Sequence, residues 1–220
     1  MNIENIEQTR FNMVAQQIRP WYVFDDTVLD LLYKLKREEF VPDESRAMAF
    51  VDMEIPLGHG QVMLTPKMEA RIVQELHINK TDKILEVGSG SGYMTALLAE
   101  KGVHVYSVEI IPELKTMAEN NLRAHGIANV TLELGNAAQG WSQHGPYDVI
   151  ILTASTPVLP DAFQNSLNPG GRLFAIVGED PVMEALIVTC VAPGEFTTAN
   201  LFETSTASLI NARQPTRFSF

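Results

Sequence analysis

The sequence has little cysteine, no long apolar run and no concentration of positive charge. Cys190 is the only cysteine in the 220 residues, so no disulfide bond can form within the chain, and a reducing cytoplasm is the expected location. No apolar stretch is long enough to cross a bilayer, and the first residues lack the basic and apolar regions of a signal peptide. The sequence therefore predicts a cytoplasmic protein with no membrane partner.

Positive charge is scarce as well. The chain has 16 Lys and Arg residues against 27 Asp and Glu, a formal net charge of -11 and a calculated pI of about 4.9. Because no run of Lys or Arg offers a local basic patch, nucleic acid is not an expected partner. No cluster of metal-ligand residues stands out, so no metal site is predicted. The length suits one large domain, or one domain with a small extension.

The stretch from Lys83 to Glu109 organises the rest of the chain. An apolar strand, 83–87, runs into the turn Gly88-Ser89-Gly90-Ser91-Gly92, which is followed by a helical pattern and a second strand that ends at Glu109. Glycine lets the chain turn tightly with its amides facing a ligand, and the helix N-terminus adds partial positive charge. Glu109 lies 21 residues after Gly88, where an acid accepts both hydroxyls of a ribose. The alternative, a glycine-rich connection with no ligand, explains this order of elements less well.

The glycine spacing distinguishes two cofactors. Dinucleotide sites are typified by G-x-G-x-x-G, whereas Gly88, Gly90 and Gly92 follow G-x-G-x-G. The last glycine comes one residue early. This spacing favours S-adenosylmethionine over NAD.

The remaining pattern indicates an α/β fold, a doubly wound and mostly parallel seven-stranded sheet of Rossmann-like type. Further strands are predicted at 130–134, 146–154 and 172–178, and an antiparallel pair at 184–191 and 195–209 would close the sheet edge. Pro169-Gly170-Gly171 is predicted to be a turn into a strand, and a helix is predicted through Leu167. Two amphipathic helices near the N-terminus predict a helical extension over 1–57, packed on a cofactor-binding domain over 58–220.

Residues 52–66 carry a resemblance to a known family. They read D-M-E-I-P-L-G-H-G-Q-V-M-L-T-P, and the glycine turn is preceded by Glu86 and followed by Tyr93. Together these motifs resemble the protein-L-isoaspartate O-methyltransferases, whose loop reads D-x-x-x-P-I-G-x-G-Q-T-I-S-x-P. The matching positions are Asp52, Pro56, Gly58, Gly60, Gln61 and Pro66. The resemblance implies an S-adenosylmethionine-dependent enzyme that methylates isoaspartyl residues of damaged proteins or peptides.

The resemblance also implies a set of site residues. The substrate loop would comprise Gly58, His59, Gly60 and Gln61. Cofactor binding would involve Gly88, Ser89, Gly90, Ser91, Gly92, Tyr93, Glu109, Ile110, Asn136, Ala137 and Thr153. Asn136 stands where the family usually has Asp, so its carbonyl oxygen would accept a hydrogen bond from adenine without a charge.

The substrate loop departs from the family at one position of chemical importance. Leu64 replaces the family serine, whose hydroxyl is implicated in holding the substrate carboxylate and the methyl donor. Asp52 and Thr65 are the candidate catalytic residues, with Thr65 one position after the missing hydroxyl. The alternative for Thr65 is an ordinary N-cap before Pro66.

The chemistry expected of these residues is carboxyl methylation. A carboxylate is already ionised at neutral pH and needs no base, whereas a phenol or an amine does. His59 is the sole histidine in the loop, and a packing or hydrogen-bonding role is more common for such a residue. Two alternatives remain open: a methyltransferase of this fold with another acceptor, and an adaptor that binds the cofactor and holds a modified protein without catalysis.

Overall fold

The computed structural model describes residues 3–216. Positions 1 and 2 of the predicted extension and positions 217–220 of the predicted cofactor-binding domain lie outside the described residues. Nine strands and six α-helices are described in this part of the chain. The helices are α1 (Ile3–Met13), α2 (Asp26–Lys34), α3 (Pro66–Glu75), α4 (Tyr93–Lys101), α5 (Pro112–Ala124) and α6 (Asp161–Gln164). The strands are β1 (Ile55–Gly58), β2 (Gln61–Met63), β3 (Lys83–Val87), β4 (His104–Glu109), β5 (Val130–Leu134), β6 (Tyr147–Thr156), β7 (Leu167–Glu179), β8 (Val182–Ala192) and β9 (Glu195–Thr204).

Seven of the strands form one sheet, in the order β5-β4-β3-β6-β7-β8-β9. The first five are parallel to their neighbours, and β8 and β9 are antiparallel additions at one edge. The strand order reverses between β3 and β6, because the chain goes from β3 outward to β5 and then returns to the other side of β3. In open α/β sheets, ligands bind at such a switch point. The predicted seven-stranded, mostly parallel sheet with an antiparallel edge is confirmed.

The central strands are buried on both faces, which explains why their sequences are nearly continuous apolar runs. Two consecutive residues of β3, Ile84 and Leu85, point to opposite faces of the sheet and belong to two separate hydrophobic clusters. The first cluster includes side chains of α1 to α5. The second is covered by α6 and by irregular segments, including Trp141 and Leu209. The sheet is therefore doubly wound, with most of its helical cover on one face.

The N-terminal segment shares the first cluster with the sheet. Met13 and Val14 are buried in it together with α2 residues and with Ile84 of β3. The helical pattern continues past α1 as a π-helical turn, Val14–Ile18. α2 begins where the side chain of Asp25 accepts a hydrogen bond from the Thr27 amide at 2.8 Å, which makes Asp25 the N-cap of this helix.

Three local expectations were wrong. Residues 55–63, expected as a loop, contain the antiparallel hairpin β1–β2. The helix expected through Leu167 ends at Gln164, and Leu167 already begins β7. Pro169-Gly170-Gly171 is not a turn before a strand but lies inside β7, where the pairing with β6 shifts between Tyr147 and Val149. These extra residues are accommodated as a bulge, which local turn propensity does not distinguish from a chain reversal.

Candidate functional site

A cavity of about 780 Å³, including its open mouth, lies at the carboxyl ends of β3, β4, β5 and β6. It brings together ten of the sequence-predicted residues: Gln61, Gly88, Ser89, Gly90, Ser91, Glu109, Ile110, Asn136, Ala137 and Thr153. Among the described residues that line it, the only charged side chains are Glu69 and Glu109. The cavity wall is therefore suited to a ligand that carries positive charge.

The glycine turn after β3 forms the floor of this cavity. Gly88 has a φ of +97°, and a Cβ placed there would lie 2.4 Å from Oγ1 of Thr153. The Thr153 hydroxyl is directed to the carbonyl oxygens of Val87 and Gly88, at 2.9 and 2.8 Å. Both the backbone conformation and the close approach of β6 therefore require glycine at position 88.

Glu109 closes the turn from the end of β4. Its Oε2 accepts a hydrogen bond from the Gly90 amide at 3.0 Å, and its Oε1 accepts from the amides of Ile110 and Ile111 at 2.9 and 3.0 Å. The residue is only 4% exposed, yet it lines the cavity. Three backbone donors thus fix a carboxylate beside the glycine turn, where the sequence predicts the ribose contact.

Glu86 braces the same turn from beneath. It is fully buried, and Thr95 of α4 and Ser107 of β4 each donate a hydroxyl hydrogen bond to its Oε2 at 2.5 Å. Burial raises the pKa of Glu86 to about 8, against the opposing effect of the two hydroxyls. Glu86 does not line the cavity and instead joins β3, β4 and α4. In the sequence, Glu86 stands out only as an acid two residues before the first glycine. The motif alone did not show that its role is structural.

The loop after β5 forms the end of the cavity expected to take adenine. Asn136 lines the cavity, and its Oδ1 accepts a hydrogen bond from the Ala138 amide at 3.1 Å. The ring of Trp141 packs so closely on Gly135 that a Cβ there would lie 2.5 Å from it. Trp141 in turn donates its indole N–H to Glu133 at 2.8 Å. The loop is thus held in place by contacts outside the cavity.

The part of the cavity lining formed by the β1–β2 hairpin and the segment after it is mostly apolar. Leu57, Val62, Met63 and Leu64 line it together with Leu209 and Ile210 from the C-terminal part of the chain. Leu64 is 6% exposed. Gln61 contributes an amide. At the position where the family has a serine hydroxyl, this wall presents a hydrocarbon side chain.

Several predicted residues do not reach the cavity wall. The Thr65 hydroxyl accepts a hydrogen bond from the Met68 amide at 3.4 Å, so the N-cap alternative is confirmed. Asp52 forms an ion pair with Lys67 at 2.6 Å. Tyr93 is buried, and its hydroxyl donates to the Leu35 carbonyl at 3.3 Å. Gly92 is the residue before α4 and packs on Ala118.

The remaining loop residues lie in the turn of the hairpin. Gly58, His59 and Gly60 all have positive φ angles, of 89°, 54° and 71°. Each is exposed. The turn therefore presents His59 to solvent beside the cavity-lining Gln61 rather than inside the cavity.

Sequence reasoning missed a buried ion pair behind the apolar wall. Arg37 pairs with Oε2 of Glu69, and it also donates from Nε to the Ala49 carbonyl at 3.0 Å and from Nη2 to the Leu64 carbonyl at 2.6 Å. Arg37 and Glu69 are 1% and 2% exposed. Burial raises the pKa of Glu69 to about 7, while the Arg37 charge acts to lower it. No local signal indicated this pair, because a charged residue in a helical pattern is ordinarily expected at the surface.

Neither a metal centre nor a membrane span is evident in residues 3–216. No group of three or more His, Cys, Asp or Glu side chains there is arranged to hold a metal ion. Over the same range, no helix combines the length and the apolar character needed to traverse a bilayer.

Comparison with known proteins places the chain in a family. Residues 8–203 match the family model described as Protein-L-isoaspartate(D-aspartate) O-methyltransferase (PCMT). A protein-L-isoaspartate O-methyltransferase of Gloeobacter violaceus is 38% identical over 182 residues, which cover 83% of this chain and 89% of that protein. One from Ignicoccus hospitalis is 35% identical over 209 residues, covering 93% of this chain and 99% of that protein.

A solved structure agrees at the level of the fold. It is described as a protein-L-isoaspartate O-methyltransferase from Plasmodium falciparum in complex with S-adenosyl-L-homocysteine, and it matches with a TM-score of 0.76 at 21% identity. The match covers 93% of this chain and 97% of that one. On the strength of the family match and the two sequence relatives, the chain belongs to the protein-L-isoaspartate(D-aspartate) O-methyltransferase family.

Proposed function

We propose that this protein transfers a methyl group from S-adenosylmethionine to the carboxylate of L-isoaspartyl residues in damaged proteins or peptides. The observation that carries the proposal is the acid-lined cavity at the switch point of the sheet, with Glu109 fixed beside the glycine turn. Family membership over residues 8–203 supports the same activity. The methyl ester would then allow a succinimide to form and reopen to aspartate.

The residues of the cavity fit the cofactor. Glu109 would accept the ribose hydroxyls, Gly88, Ser89, Gly90 and Ser91 would face the donor with their backbone, and Asn136 and Ala137 would contact adenine. A side chain at Gly88 would fill the space between this turn and Thr153. When bound, the cofactor supplies a methyl group on a positively charged sulfur. The two carboxylates of the wall and the absence of lining Lys, Arg or His among the described residues favour binding of that charge.

The transfer needs alignment more than proton chemistry. The acceptor oxygen forms a bond to the methyl carbon as the carbon–sulfur bond breaks and its electron pair remains on sulfur, so the charges of acceptor and donor cancel. A carboxylate acceptor requires no base. The contribution of the protein is therefore to hold both partners in line and to exclude water with the apolar wall that includes Leu57, Val62 and Leu64.

Asp52 and Thr65 are the catalytic positions that the resemblance implies. In our proposal they act indirectly, by holding the β1–β2 hairpin in place. Thr65 caps α3, and Asp52 ties the segment before β1 to Lys67 on the first turn of that helix. Both contacts fix the ends of the hairpin that forms the acceptor wall. In the same way we assign residues 1–57 to an extension that supports this wall, because Arg37 reaches the carbonyl of Leu64.

One observation favours a second candidate. Leu64 presents hydrocarbon where the family has a hydroxyl, and a carboxylate acceptor finds fewer hydrogen-bond donors there. A methyltransferase with a different small-molecule or protein acceptor would suit this wall. The buried free thiol of Cys190 accords with a reducing compartment, so we place either reaction in the cytoplasm.

Transfer of a radiolabelled methyl group to an isoaspartyl peptide and to its normal aspartyl twin tests the proposal. Labelling of the isoaspartyl peptide alone is expected. Binding of S-adenosylhomocysteine without transfer to either peptide would instead indicate an adaptor, and transfer only to other components of a cell extract would indicate another acceptor. Glu109→Ala should abolish the signal at low donor concentration, whereas Glu113→Ala, which replaces an exposed acid on α5, should leave it unchanged.

A further inference from the structure

Glu69 is a buried acid on the cavity wall that the proposed reaction does not yet use. It lies on the first turn of α3, directly after the hairpin and the segment that line the acceptor side. Its side chain is 3% exposed, so the little surface that it retains faces the cavity. A buried carboxylate at such a place needs partners, because desolvation of an unpaired charge is unfavourable.

Only one of its two oxygens has a partner. Arg37 bonds to Oε2, and Oε1 accepts no hydrogen bond from the described residues. An ionised carboxylate offers about four acceptor positions in total. Arg37 approaches from behind the wall, where it also binds the carbonyls of Ala49 and Leu64. The carboxylate is thus anchored on one side and available on the side of the cavity.

The surroundings of Glu69 suit the amino-acid end of a ligand. α3 packs against α4, and burial, with a further contribution from the charge of Glu69, raises the pKa of Tyr93, the first residue of α4, above its ordinary value. Ser91 and Met94, at the N-terminus of α4, line the same cavity as Glu69. A helix N-terminus attracts a carboxylate, and an acid attracts an ammonium group. An α-amino acid carries both groups on one carbon.

We propose that Oε1 of Glu69 receives the α-ammonium group of the methionyl portion of the methyl donor. Glu109 would then bind the ribose, and Glu69 would bind the amino-acid end of the donor. This assignment gives a role to both charged residues that line the cavity. The inference rests on the proposed function, because it takes S-adenosylmethionine as the donor. The inference goes beyond the proposed function because it assigns a binding role to Glu69, a residue outside the glycine turn.

The test compares two ligands and two variants by calorimetry. The ligands are S-adenosylhomocysteine and its analogue in which hydrogen replaces the α-amino group. Wild-type protein should bind the first at least tenfold more tightly, because a hydrogen bond to a charged group contributes about 1.5–3 kcal/mol. Glu69→Gln keeps the shape and an oxygen for Arg37 but removes the charge, and it should reduce this preference by roughly tenfold.

Glu75→Gln is the matched control. Glu75 also lies on α3, but it pairs with Arg71 at 2.7 Å and does not line the cavity. That variant should keep the full preference for the amino group. If Glu69→Gln folds and discriminates between the ligands as well as the wild type does, the proposal is overturned, and Glu69 serves only to anchor Arg37. If the wild type binds neither ligand, the proposed cofactor itself is wrong, which is a distinct result.

A measurement on the unmodified protein covers the case in which Glu69→Gln does not fold. The preference for the amino group should increase between pH 6 and pH 8, because the carboxyl of Glu69 loses its proton in this range. The ionisable groups that face it are Arg37, with which it forms the ion pair, and Tyr93, whose raised pKa keeps its hydroxyl neutral. A preference that stays constant over this range would contradict the proposal.

Discussion

The two walls of the cavity are built in different ways. The proposed donor wall, around the glycine turn, consists of backbone groups and of Glu109, whose carboxylate already accepts hydrogen bonds from three backbone amides. The proposed acceptor wall consists mostly of hydrocarbon side chains, from the β1–β2 hairpin and the segment after it and from Leu209 and Ile210. In our proposal, the methyl donor therefore contacts polar groups whose positions are already fixed by hydrogen bonds. The acceptor, in our proposal, would be met by side-chain shape, which a single substitution can alter.

The largest expected effect is on the donor wall. Glu109→Ala removes the acid proposed to hold the ribose, and S-adenosylhomocysteine should bind roughly 10- to 150-fold more weakly, because a charge-assisted hydrogen bond contributes about 1.5–3 kcal/mol. Calorimetry measures the change. Glu113→Ala, on the exposed side of α5, is the control and should bind normally. Unchanged affinity in Glu109→Ala would show that the donor wall does not depend on this acid.

The second effect concerns the support beneath the donor wall. The pKa of Glu86 is raised from about 4.5 to about 8, so between these values the folded state holds a proton that the unfolded state has released. Stability should therefore fall as pH rises through this window. Glu86→Gln cannot titrate, and its stability relative to the wild type should improve by roughly 2 kcal/mol between pH 6 and pH 8.

Urea unfolding at the two pH values measures this difference. Gln retains a carbonyl oxygen for the hydroxyls of Thr95 and Ser107, which now donate to Oε2. Glu113→Gln should show the same pH dependence as the wild type. An equal stability difference between Glu86→Gln and wild type at both pH values would mean that Glu86 is ionised in the folded protein.

Gly88 in the donor wall and Gly170 outside it allow the cost of backbone strain to be separated from the cost of steric crowding. Gly88 and Gly170 have similar φ angles of +97° and +80°, but a Cβ on Gly88 would lie 2.4 Å from Thr153, whereas one on Gly170 would meet nothing within 4 Å. Alanine at Gly170 should therefore lose only the strain energy of about 1 kcal/mol. Alanine at Gly88 should lose a further 1–2 kcal/mol, approximately, from overpacking. Thermal unfolding compares the two, and equal losses would contradict the close approach.

The donor wall was accessible to sequence reasoning because its signals are local. Strand, glycine turn, helix and acid follow one another between Lys83 and Glu109, and a parallel sheet places the ends of its strands together. The bulge at Pro169-Gly170-Gly171 shows where local signals fail, because the same residues fit a turn or an irregular strand.

The acceptor wall could not be derived in the same way. Its key contacts join residues that are far apart in the sequence, such as Arg37 and Glu69, which are 32 positions apart. Leu209 and Ile210 reach the cavity from the other end of the chain. A charged residue in a helical pattern is ordinarily expected at the surface, so the burial of Glu69 followed from no local rule. The resemblance located the segment of the hairpin but only as a loop, and the N-cap alternative for Thr65 came from its place before Pro66 rather than from the resemblance.

The smallest expected effect tests the acceptor wall through Leu64. Leu64→Ser and Leu64→Ala remove similar volumes from a site that is 6% exposed, so both should lose stability to a similar extent, about 2–5 kcal/mol. Only serine adds a hydroxyl that can donate to an acceptor carboxylate. One such hydrogen bond contributes about 1 kcal/mol, so Leu64→Ser should methylate an isoaspartyl peptide roughly fivefold faster than Leu64→Ala. The two variants are compared by their initial rates of methylation at a saturating concentration of the methyl donor. Equal rates would mean that the hydrocarbon of Leu64 is not what limits a carboxylate acceptor, and that the wall selects its substrate by shape alone.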